Sequence, residues 1–223
     1  MTITPTGGRS LATRLRTAKG RSSQSQRWLE RQLNDPYVKA AKASGYRSRA
    51  AFKLVEINDK FSLLKPGGRV VDLGAAPGGW TQVAMRAVGE RGRVVGLDLL
   101  PVDPVVGATI LQGDFQDSAA EAAVEAALGG QADLVLSDMA PNTTGHNATD
   151  HLRIMGLAEL ALAFALRVLA PGGSFVAKVF QGGSEKDFLA TLKQRFTQVR
   201  HAKPPSSRKD SAELYVVATG FKG

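Results

Sequence analysis

Charged side chains occupy three positions at which the sequence otherwise predicts buried strands. Asp138 follows one apolar run, Lys178 lies inside another, and Glu213 opens a third. An ionised group in such a strand is costly unless it is paired or faces a cleft, so these residue types indicate a site for proton transfer or charge stabilisation. The alternative for Lys178 is an edge strand from which the amine reaches solvent. Lys53, on a predicted helix, would alternatively be an ordinary solvated lysine.

A second set of residues is typical of a nucleotide site. The segment Asp72–Trp80 follows the first predicted strand and is rich in glycine, which lets a backbone approach a ligand beside the free N–H groups of the next helix. Asp98 ends the second strand, where a carboxylate can accept the hydroxyls of an adenosine ribose. Asp114 ends the third strand, where its carboxylate can accept a hydrogen bond from an adenine amino group. Pro77 interrupts the glycine pattern of NAD enzymes, and the sequence has no P-loop motif. We expect a nucleotide-type cofactor, with an ordinary tight turn as the alternative.

These residues need a sheet that brings the strand ends together. Six apolar runs predict strands, at Val70–Leu73, Val94–Leu97, Thr109–Leu111, Leu134–Leu136, Phe175–Val179 and Leu214–Ala218. Helices are predicted between them at Thr81–Val88, Ser118–Leu128, Leu152–Leu169 and Lys186–Phe196, and before them from near Ser25, after Pro36 and over Ser48–Phe61. This alternation favours an α/β fold with a mostly parallel sheet covered on both faces, in which ligands bind at the carboxyl ends of the strands.

The positive charge is concentrated at the start of the chain. Lys and Arg number 29 against 20 Asp and Glu, and residues 1–53 hold 12 of those bases with only 2 acids. Residues 1–24 contain no acid and no helical periodicity, which predicts a disordered basic extension before a single domain over 25–223. A mitochondrial transit peptide is the alternative, disfavoured because Leu11 and Leu15 form only a poor amphipathic face.

Basic residues also flank the candidate catalytic positions, which favours contact with the phosphates of a polyanion over a merely solvated face. They are Lys39, Lys42, Arg47 and Arg49 before Lys53, and Lys203, Arg208 and Lys209 before Glu213.

The absence of cysteine excludes a disulfide scaffold, a thiolate zinc site and a cysteine nucleophile. The three histidines are too scattered for a metal site, and no apolar stretch is long enough to predict a membrane span.

Five segments, in this order, resemble the FtsJ/RrmJ-type ribose 2′-O-methyltransferases. They are Ser48–Leu54, Asp72–Trp80, Ser137–Pro141, Lys178–Gly182 and Ser206–Tyr215. The likeness extends from about Ser25 to the C-terminus and is greatest to the bacterial branch that methylates a uridine of 23S rRNA. It implies a class I, Rossmann-like fold with a seven-stranded sheet, S-adenosylmethionine as cofactor, and rRNA, within the large ribosomal subunit, as partner.

The resemblance also implies site residues. It places a catalytic tetrad on Lys53, Asp138, Lys178 and Glu213, and cofactor contacts on Gly74, Pro77, Gly78, Trp80, Asp98, Asp114 and Asp138. The expected reaction is attack of a ribose 2′-oxygen on the cofactor methyl group, with Lys178 as general base. If Lys178 stays protonated, it would instead orient the hydroxyl and stabilise alkoxide charge.

Three alternative functions remain at this point: a tRNA ribose methyltransferase of the same family, an NAD-dependent oxidoreductase, and a non-catalytic RNA-binding or ribosome-assembly module. The intact tetrad argues against the last. We expect a monomer in the bacterial cytoplasm without a bound metal, the mitochondrial matrix being the less favoured location.

Overall fold

The computed structural model describes residues 22–141, 146–180, 186–208 and 211–223. These ranges contain seven helices and seven strands, and helices and strands mostly alternate from β1 onward. The helices are α1 (Ser23–Asn34), α2 (Pro36–Ala43), α3 (Ala51–Phe61), α4 (Gly79–Val88), α5 (Ser118–Leu128), α6 (Asn147–Val168) and α7 (Lys186–Arg195). The strands are β1 (Arg69–Leu73), β2 (Arg93–Asp98), β3 (Thr109–Gln112), β4 (Ala132–Ser137), β5 (Leu169–Phe180), β6 (Phe196–Ala202) and β7 (Glu213–Phe221).

Local sequence signals set several of these boundaries. Asp35 caps α2 by accepting the N–H of Tyr37 at 3.0 Å, and Pro36 occupies the first helical position, where a missing N–H costs nothing. Asp117 caps α5 in the same way, and that helix ends at Gly129 in the left-handed conformation. The start of α2 and both ends of α5 therefore have the residue types that their backbone conformation requires.

The strands form one sheet in the order β3-β2-β1-β4-β5-β7-β6. Strands β1 to β5 pair in parallel, and β7 runs antiparallel to both of its neighbours. The strand order reverses between β1 and β4, which is where parallel α/β sheets bind ligands beyond their carboxyl ends. Because β7 runs the opposite way, its first residue, Glu213, lies beside Phe180 at that same edge. We call this edge of the sheet the rim.

Two apolar clusters fill the space between the sheet and its helices. One lies under α3 and α4 and includes Leu54, Trp80 and Tyr215. The other lies under α5, α6 and α7 and includes Phe164 and Phe188. Side chains alternate along β1, so that Val71 joins the second cluster while Asp72 faces α4 and bonds Thr81. Both faces of the sheet are therefore covered.

The predicted α/β architecture with a mostly parallel, seven-stranded sheet is confirmed. Several boundaries differ from the prediction: α6 begins at Asn147 rather than Leu152, Leu169 begins β5 rather than ending α6, β5 thus starts before the predicted Phe175, and Phe196 begins β6 rather than ending α7. No separate run predicted β6, because polar residues occur in adjacent pairs along this edge strand and break the two-residue alternation that marks a strand. Helix α1 begins at Ser23, within the predicted extension 1–24, and residues 1–21 lie outside the described ranges.

Candidate active site

Two ion pairs lie at the rim. The Lys53 ammonium, on α3, contacts both carboxylate oxygens of Glu213 at 2.7 and 2.8 Å. The Lys178 ammonium, on β5, donates to the main-chain oxygen of Asp138 at 2.8 Å and to Oδ1 at 3.0 Å. The Asp138 N–H in turn donates to the carbonyl of Leu73 at 3.1 Å, which fixes the end of β4 to the end of β1. The structure thus brings all four predicted tetrad residues together.

Tyr215 joins the two pairs. Its hydroxyl donates to Asp138 Oδ1 at 2.7 Å and accepts from Lys53 Nζ at 3.1 Å. Tyr215 lies directly opposite Lys178 in the β5–β7 register, so both side chains project from the same face of the sheet. The ring is fully buried and packs against Trp80 with centroids 5.5 Å apart. One rigid aromatic residue therefore sets the spacing between the two ion pairs.

The charges at this site hold Asp138 ionised. Burial by itself would raise the pKa of Asp138, but the ammoniums of Lys178 and Lys53 and the hydrogen bond from Tyr215 outweigh it, so the pKa lies below its usual range. Burial, followed by the charges of Asp138 and Glu213, raises the pKa of Tyr215 well above its usual value. Tyr215 consequently keeps its proton and remains a donor to Asp138.

An open pocket of about 240 Å³ gives access to the Lys53–Glu213 pair. Its walls are Arg49, Ala50, Lys53, Arg208, Ser211 and Glu213. Ser207 Oγ donates to Glu213 Oε1 at 3.0 Å from the segment just before β7. The pocket therefore combines a fixed carboxylate with several cationic walls, an arrangement suited to an anionic substrate.

The glycine-rich segment after β1 packs closely on its surroundings. Gly74 has φ +80°, and a Cβ there would lie 2.8 Å from the main-chain nitrogen of Met139. Both oxygens of Asp98 accept main-chain N–H groups at 2.8 Å, Oδ2 from Ala76 and Oδ1 from Leu100. Each oxygen keeps a second lone pair for a ligand hydroxyl. Asp114 is exposed and accepts the N–H of Gln116 at 2.9 Å.

Two polar atoms beside this segment have no hydrogen-bond partner among the described residues. They are Oδ1 of the fully buried Asp72 and Oγ of Ser48. Burial raises the pKa of Asp72 to about 7, although the bond from Thr81 opposes the shift. A polar ligand next to the segment would satisfy such atoms, so the residues present fit a nucleotide-type cofactor.

The Trp80 side chain packs inside the protein and does not present its ring to the proposed cofactor site. The side chain is 3% exposed, lies in the cluster under α3, and donates from Nε1 to the carbonyl of Ala50 at 2.8 Å. Only its main-chain N–H, in the first turn of α4, is placed to bind a ligand. Pro77 is exposed on the loop before that turn, and Gly78 forms the helix cap with φ +105°.

The predicted RNA-contacting residues divide into two groups. Lys39 and Lys42 are exposed on α2, and Arg208 lines the pocket at Lys53. Lys203 is exposed but donates to the carbonyl of Ser211 at 2.8 Å, and Lys209 lies outside the described ranges.

Arg47 and Arg49 instead bond to the protein itself. The Arg49 guanidinium pairs with Asp35 and donates to the carbonyl of Ser206. Arg47 donates to three main-chain carbonyls around the glycine-rich segment. The two arginines therefore have internal structural roles that the sequence pattern did not predict.

The sequence analysis also missed Tyr215 and Ser207 as members of the site. Tyr215 follows Glu213 by two residues, and the two-residue period of a strand places both on one face, so this signal was available. Ser207 had no comparable signal, because its contact with Glu213 depends on how residues 204–208 dock beside β7.

Comparison with known proteins identifies the family. The profile of the FtsJ-like methyltransferases matches residues 46–221, most of the chain. This chain belongs to the FtsJ-like methyltransferase family. Its matched region contains all four tetrad residues and the glycine-rich segment.

Bacterial relatives match the FtsJ-like chain over nearly its whole length. A Granulibacter bethesdensis protein named "Ribosomal RNA large subunit methyltransferase E" is 68% identical over 220 residues, covering 98% of this chain and 94% of the relative. A protein of the same name from Acidiphilium cryptum is 66% identical over 216 residues, covering 96% of this chain and 94% of the relative.

Solved structures agree with the fold. A Plasmodium falciparum protein provisionally described as a ribosomal RNA methyltransferase superposes with a TM-score of 0.71 at 28% identity, covering 80% of this FtsJ-like chain and all of the other. In the part of the chain that the structure describes, no group of histidines and carboxylates could hold a metal ion. Nor is any helix there long and apolar enough to span a bilayer.

Proposed function

We propose that this protein transfers a methyl group from S-adenosylmethionine to the 2′-hydroxyl of a uridine ribose in 23S rRNA of the large ribosomal subunit. The observation that carries the proposal is the pair of ion pairs at the rim, joined by Tyr215, next to a segment that fits a nucleotide cofactor. The names of the relatives that are more than 60% identical support rRNA over tRNA as the substrate. The NAD hypothesis and the non-catalytic hypothesis have no comparable support.

The cofactor would lie along the glycine-rich segment. Asp98 would accept the ribose hydroxyls, Asp114 would accept the adenine amino group, and the N–H groups that begin α4 would face the ligand. When bound there, S-adenosylmethionine supplies a strongly electrophilic methyl group. Because such a methyl needs little activation, holding the ribose oxygen in line with it can provide much of the catalysis.

Lys178 is the residue that we propose as general base. Two acceptors on Asp138 engage the amine, which leaves one tetrahedral position of Nζ for the substrate hydroxyl. With the amine neutral, that position would be a lone pair that takes the hydroxyl proton, while the ribose oxygen bonds to the methyl carbon and the bond from that carbon to the cofactor sulfur breaks, so that S-adenosylhomocysteine leaves. Asp138 then stabilises the ammonium that results.

The pocket beside Lys53 would receive the target nucleotide. Lys53 is held in place by Glu213, so its charge is fixed where it can stabilise the developing alkoxide. Arg208 lines the same pocket and would bind the adjoining phosphate. The exposed Lys39 and Lys42 extend this cationic surface along α2.

Replacement of Lys178 tests the proposal. Lys178→Ala should lower the methylation rate by about 100-fold or more and leave the dissociation constant for S-adenosylmethionine within about twofold of the wild type. Asp98→Ala should do the reverse, weakening cofactor binding first. Near-normal turnover by the Lys178 variant would exclude Lys178 as the base.

The nucleotide is identified by mapping ribose methylation in total RNA from a strain that lacks the gene. A single 2′-O-methyl group missing from a uridine of 23S rRNA is the expected result, whereas a missing tRNA modification would contradict the substrate.

We also propose that 25–223 form one domain that acts as a monomer in the bacterial cytoplasm, with residues 1–24 as a basic arm that binds RNA. The support is the family match from residue 46 to 221, the acid-free composition of the arm, and the bacterial source of the relatives. Deletion of 1–21 should weaken RNA binding and leave cofactor binding unchanged.

A further inference from the structure

The segment that joins α2 to α3, residues 44–50, crosses the beginning of α4. Gln82 on α4 binds it twice, donating from Nε2 to the carbonyl of Gly45 at 3.1 Å and accepting the N–H of Arg47 through Oε1 at 2.9 Å. Arg86, one turn along, donates to the carbonyl of Ser44 at 3.1 Å. The basic helix α2 is therefore fastened to the helix that follows the glycine-rich segment.

Arg47 bridges the two loops that border the proposed cofactor site. Its Nη1 donates to the carbonyl of Pro77 at 3.2 Å and to that of Asp103 at 2.6 Å, and its Nη2 donates to the carbonyl of Pro104 at 2.7 Å. Pro77 belongs to the loop after β1, whereas Asp103 and Pro104 belong to the loop after β2. One planar guanidinium thus sets the separation of the loops that carry the predicted cofactor contacts.

The residue at position 78 is adapted to this bridge. A Cβ on Gly78 would lie 2.6 Å from Arg47 Nη1 and 3.3 Å from Val105 Cγ2. The glycine accordingly permits both the positive φ of the helix cap and the close approach of the guanidinium. The neighbouring Ser48 comes equally near to Gly79, whose Cβ would lie 2.6 Å from Ser48 Oγ.

We propose that Arg47 is a positioning residue for the cofactor, acting through the two loops that it joins rather than through RNA phosphates. The inference rests on the proposed use of S-adenosylmethionine and assigns to an arginine of the basic segment a function in the cofactor half of the site.

Arginine is required for this role by its geometry. Its planar fork carries donors on separate nitrogens that point in fixed directions, so it can reach carbonyls on both loops at once. A lysine would retain the charge at this position, but its single ammonium on a flexible stem cannot hold both loops at a fixed separation. Arg47→Lys is therefore expected to behave like Arg47→Gln in cofactor binding.

Calorimetric titration with S-adenosylmethionine, in the absence of RNA, tests the inference. We expect Arg47→Gln and Arg47→Lys each to raise the dissociation constant at least tenfold. The amides of Val102, Asp103, Val105 and Val106 should also exchange hydrogen faster in the ligand-free variants. Arg91→Gln is the matched control: it removes one exposed arginine from the turn before β2, at the opposite edge of the sheet from the rim, and should leave the dissociation constant within twofold.

A general loss of stability is distinguished by thermal unfolding. A merely structural arginine would lower the melting temperature of the free and the ligand-bound protein alike, whereas loss of the bridge should shrink the rise in melting temperature that S-adenosylmethionine produces. Unchanged cofactor affinity together with weaker RNA binding in Arg47→Gln would overturn the inference and assign Arg47 to phosphate. Full cofactor affinity in Arg47→Lys would overturn it too. If the wild type itself fails to bind S-adenosylmethionine, the proposed function fails instead.

Discussion

Tyr215 carries no charge at neutral pH, yet it contacts both ion pairs of the site. Its hydroxyl has one proton, which goes to Asp138, so toward Lys53 it can only accept. This polarity requires Lys53 to be the donor and keeps Asp138 supplied with two donors, from Tyr215 and Lys178. The Tyr215 hydroxyl thereby determines which group donates in its hydrogen bonds with Asp138 and Lys53.

Removal of the Tyr215 hydroxyl tests that role. Tyr215→Phe keeps the packing against Trp80 but deprives Asp138 of one of its two donors, so the methylation rate should fall by about 10- to 100-fold, the range expected for one hydrogen bond to a charged group. Cofactor affinity should stay near that of the wild type. Steady-state kinetics with saturating cofactor is the measurement, and an unaltered rate would show that the two ion pairs act independently.

Asp72 makes a separate contribution to the pH dependence of stability. The native carboxyl keeps its proton up to about pH 7, whereas the unfolded chain releases it near the ordinary pKa of 3.8. Between these values the native state binds more protons, so this group's contribution to the free energy of unfolding is complete below pH 4 and declines as the pH rises toward 7.

Asp72→Asn should remove that decline. The prediction is checked by denaturant unfolding of both proteins at several values between pH 4 and pH 8, because the difference between the two curves isolates the titration of residue 72. The variant should gain stability relative to the wild type as the pH rises. A constant difference across this range would contradict a raised pKa for Asp72.

Individual residues were predictable from the sequence when the cost of burial exposed them. Lys178 and Asp138 interrupt apolar strands, and a buried charge needs a partner, so their pairing could be anticipated. The cost of burial did not single out Tyr215, since an aromatic residue in a core is ordinary, and only its two-residue spacing from Glu213 connected it with the site. The contacts of Arg49 with Asp35 and Ser206 were not predictable, because a basic residue near a site has the same sequence signature whether it binds RNA or the protein.

Among the larger elements, the segment 204–208 connects Glu213, a proposed catalytic residue, to α3. Glu56 accepts both the N–H and the hydroxyl of Ser206, at 2.8 and 2.6 Å, while Ser207 binds Glu213. Ser206 is completely buried. The position of this segment was not predictable from its sequence, because its Pro-Pro-Ser-Ser composition indicates a loop but not the surface on which the loop packs.

Glu56→Ala should release the segment 204–208 from α3. Two hydrogen bonds to a carboxylate disappear and Ser206 is left unsatisfied, so the free energy of unfolding should fall by about 1.5–3 kcal/mol. The methylation rate should fall as well, because Ser207 no longer holds Glu213. Asp59→Ala, an exposed site on the same helix, is the control for charge and helix propensity and should change neither quantity appreciably.

At the scale of the whole molecule, the distribution of charge separates two functions. The excess of bases lies in residues 1–53, whereas the cofactor side of the rim carries Asp98, Asp114 and Asp138. The overall fold was the most predictable level, because repeated strand and helix signals reinforce one another along the chain. The edge strand β6 escaped because few of its side chains face the core.

The double variant Lys39→Gln/Lys42→Gln tests the cationic surface. Both lysines are exposed on α2, so their replacement should weaken RNA binding without altering the fold or cofactor affinity. The slope of log affinity against log salt should decrease by about 0.7 for each phosphate that the variant no longer neutralises, if the bound strand is single. Filter binding over a range of salt concentrations gives this slope, and an unchanged slope would remove α2 from the RNA interface.

The position of β7 has a consequence for biosynthesis. This strand is inserted between β5 and β6 and is made after both, so β6 has no partner in the described sheet until β7 arrives. The same strand supplies Glu213 and Tyr215. A chain interrupted before β7 therefore lacks Glu213 and Tyr215 together with one edge of the sheet, and we expect incomplete translation products to be inactive rather than partly active.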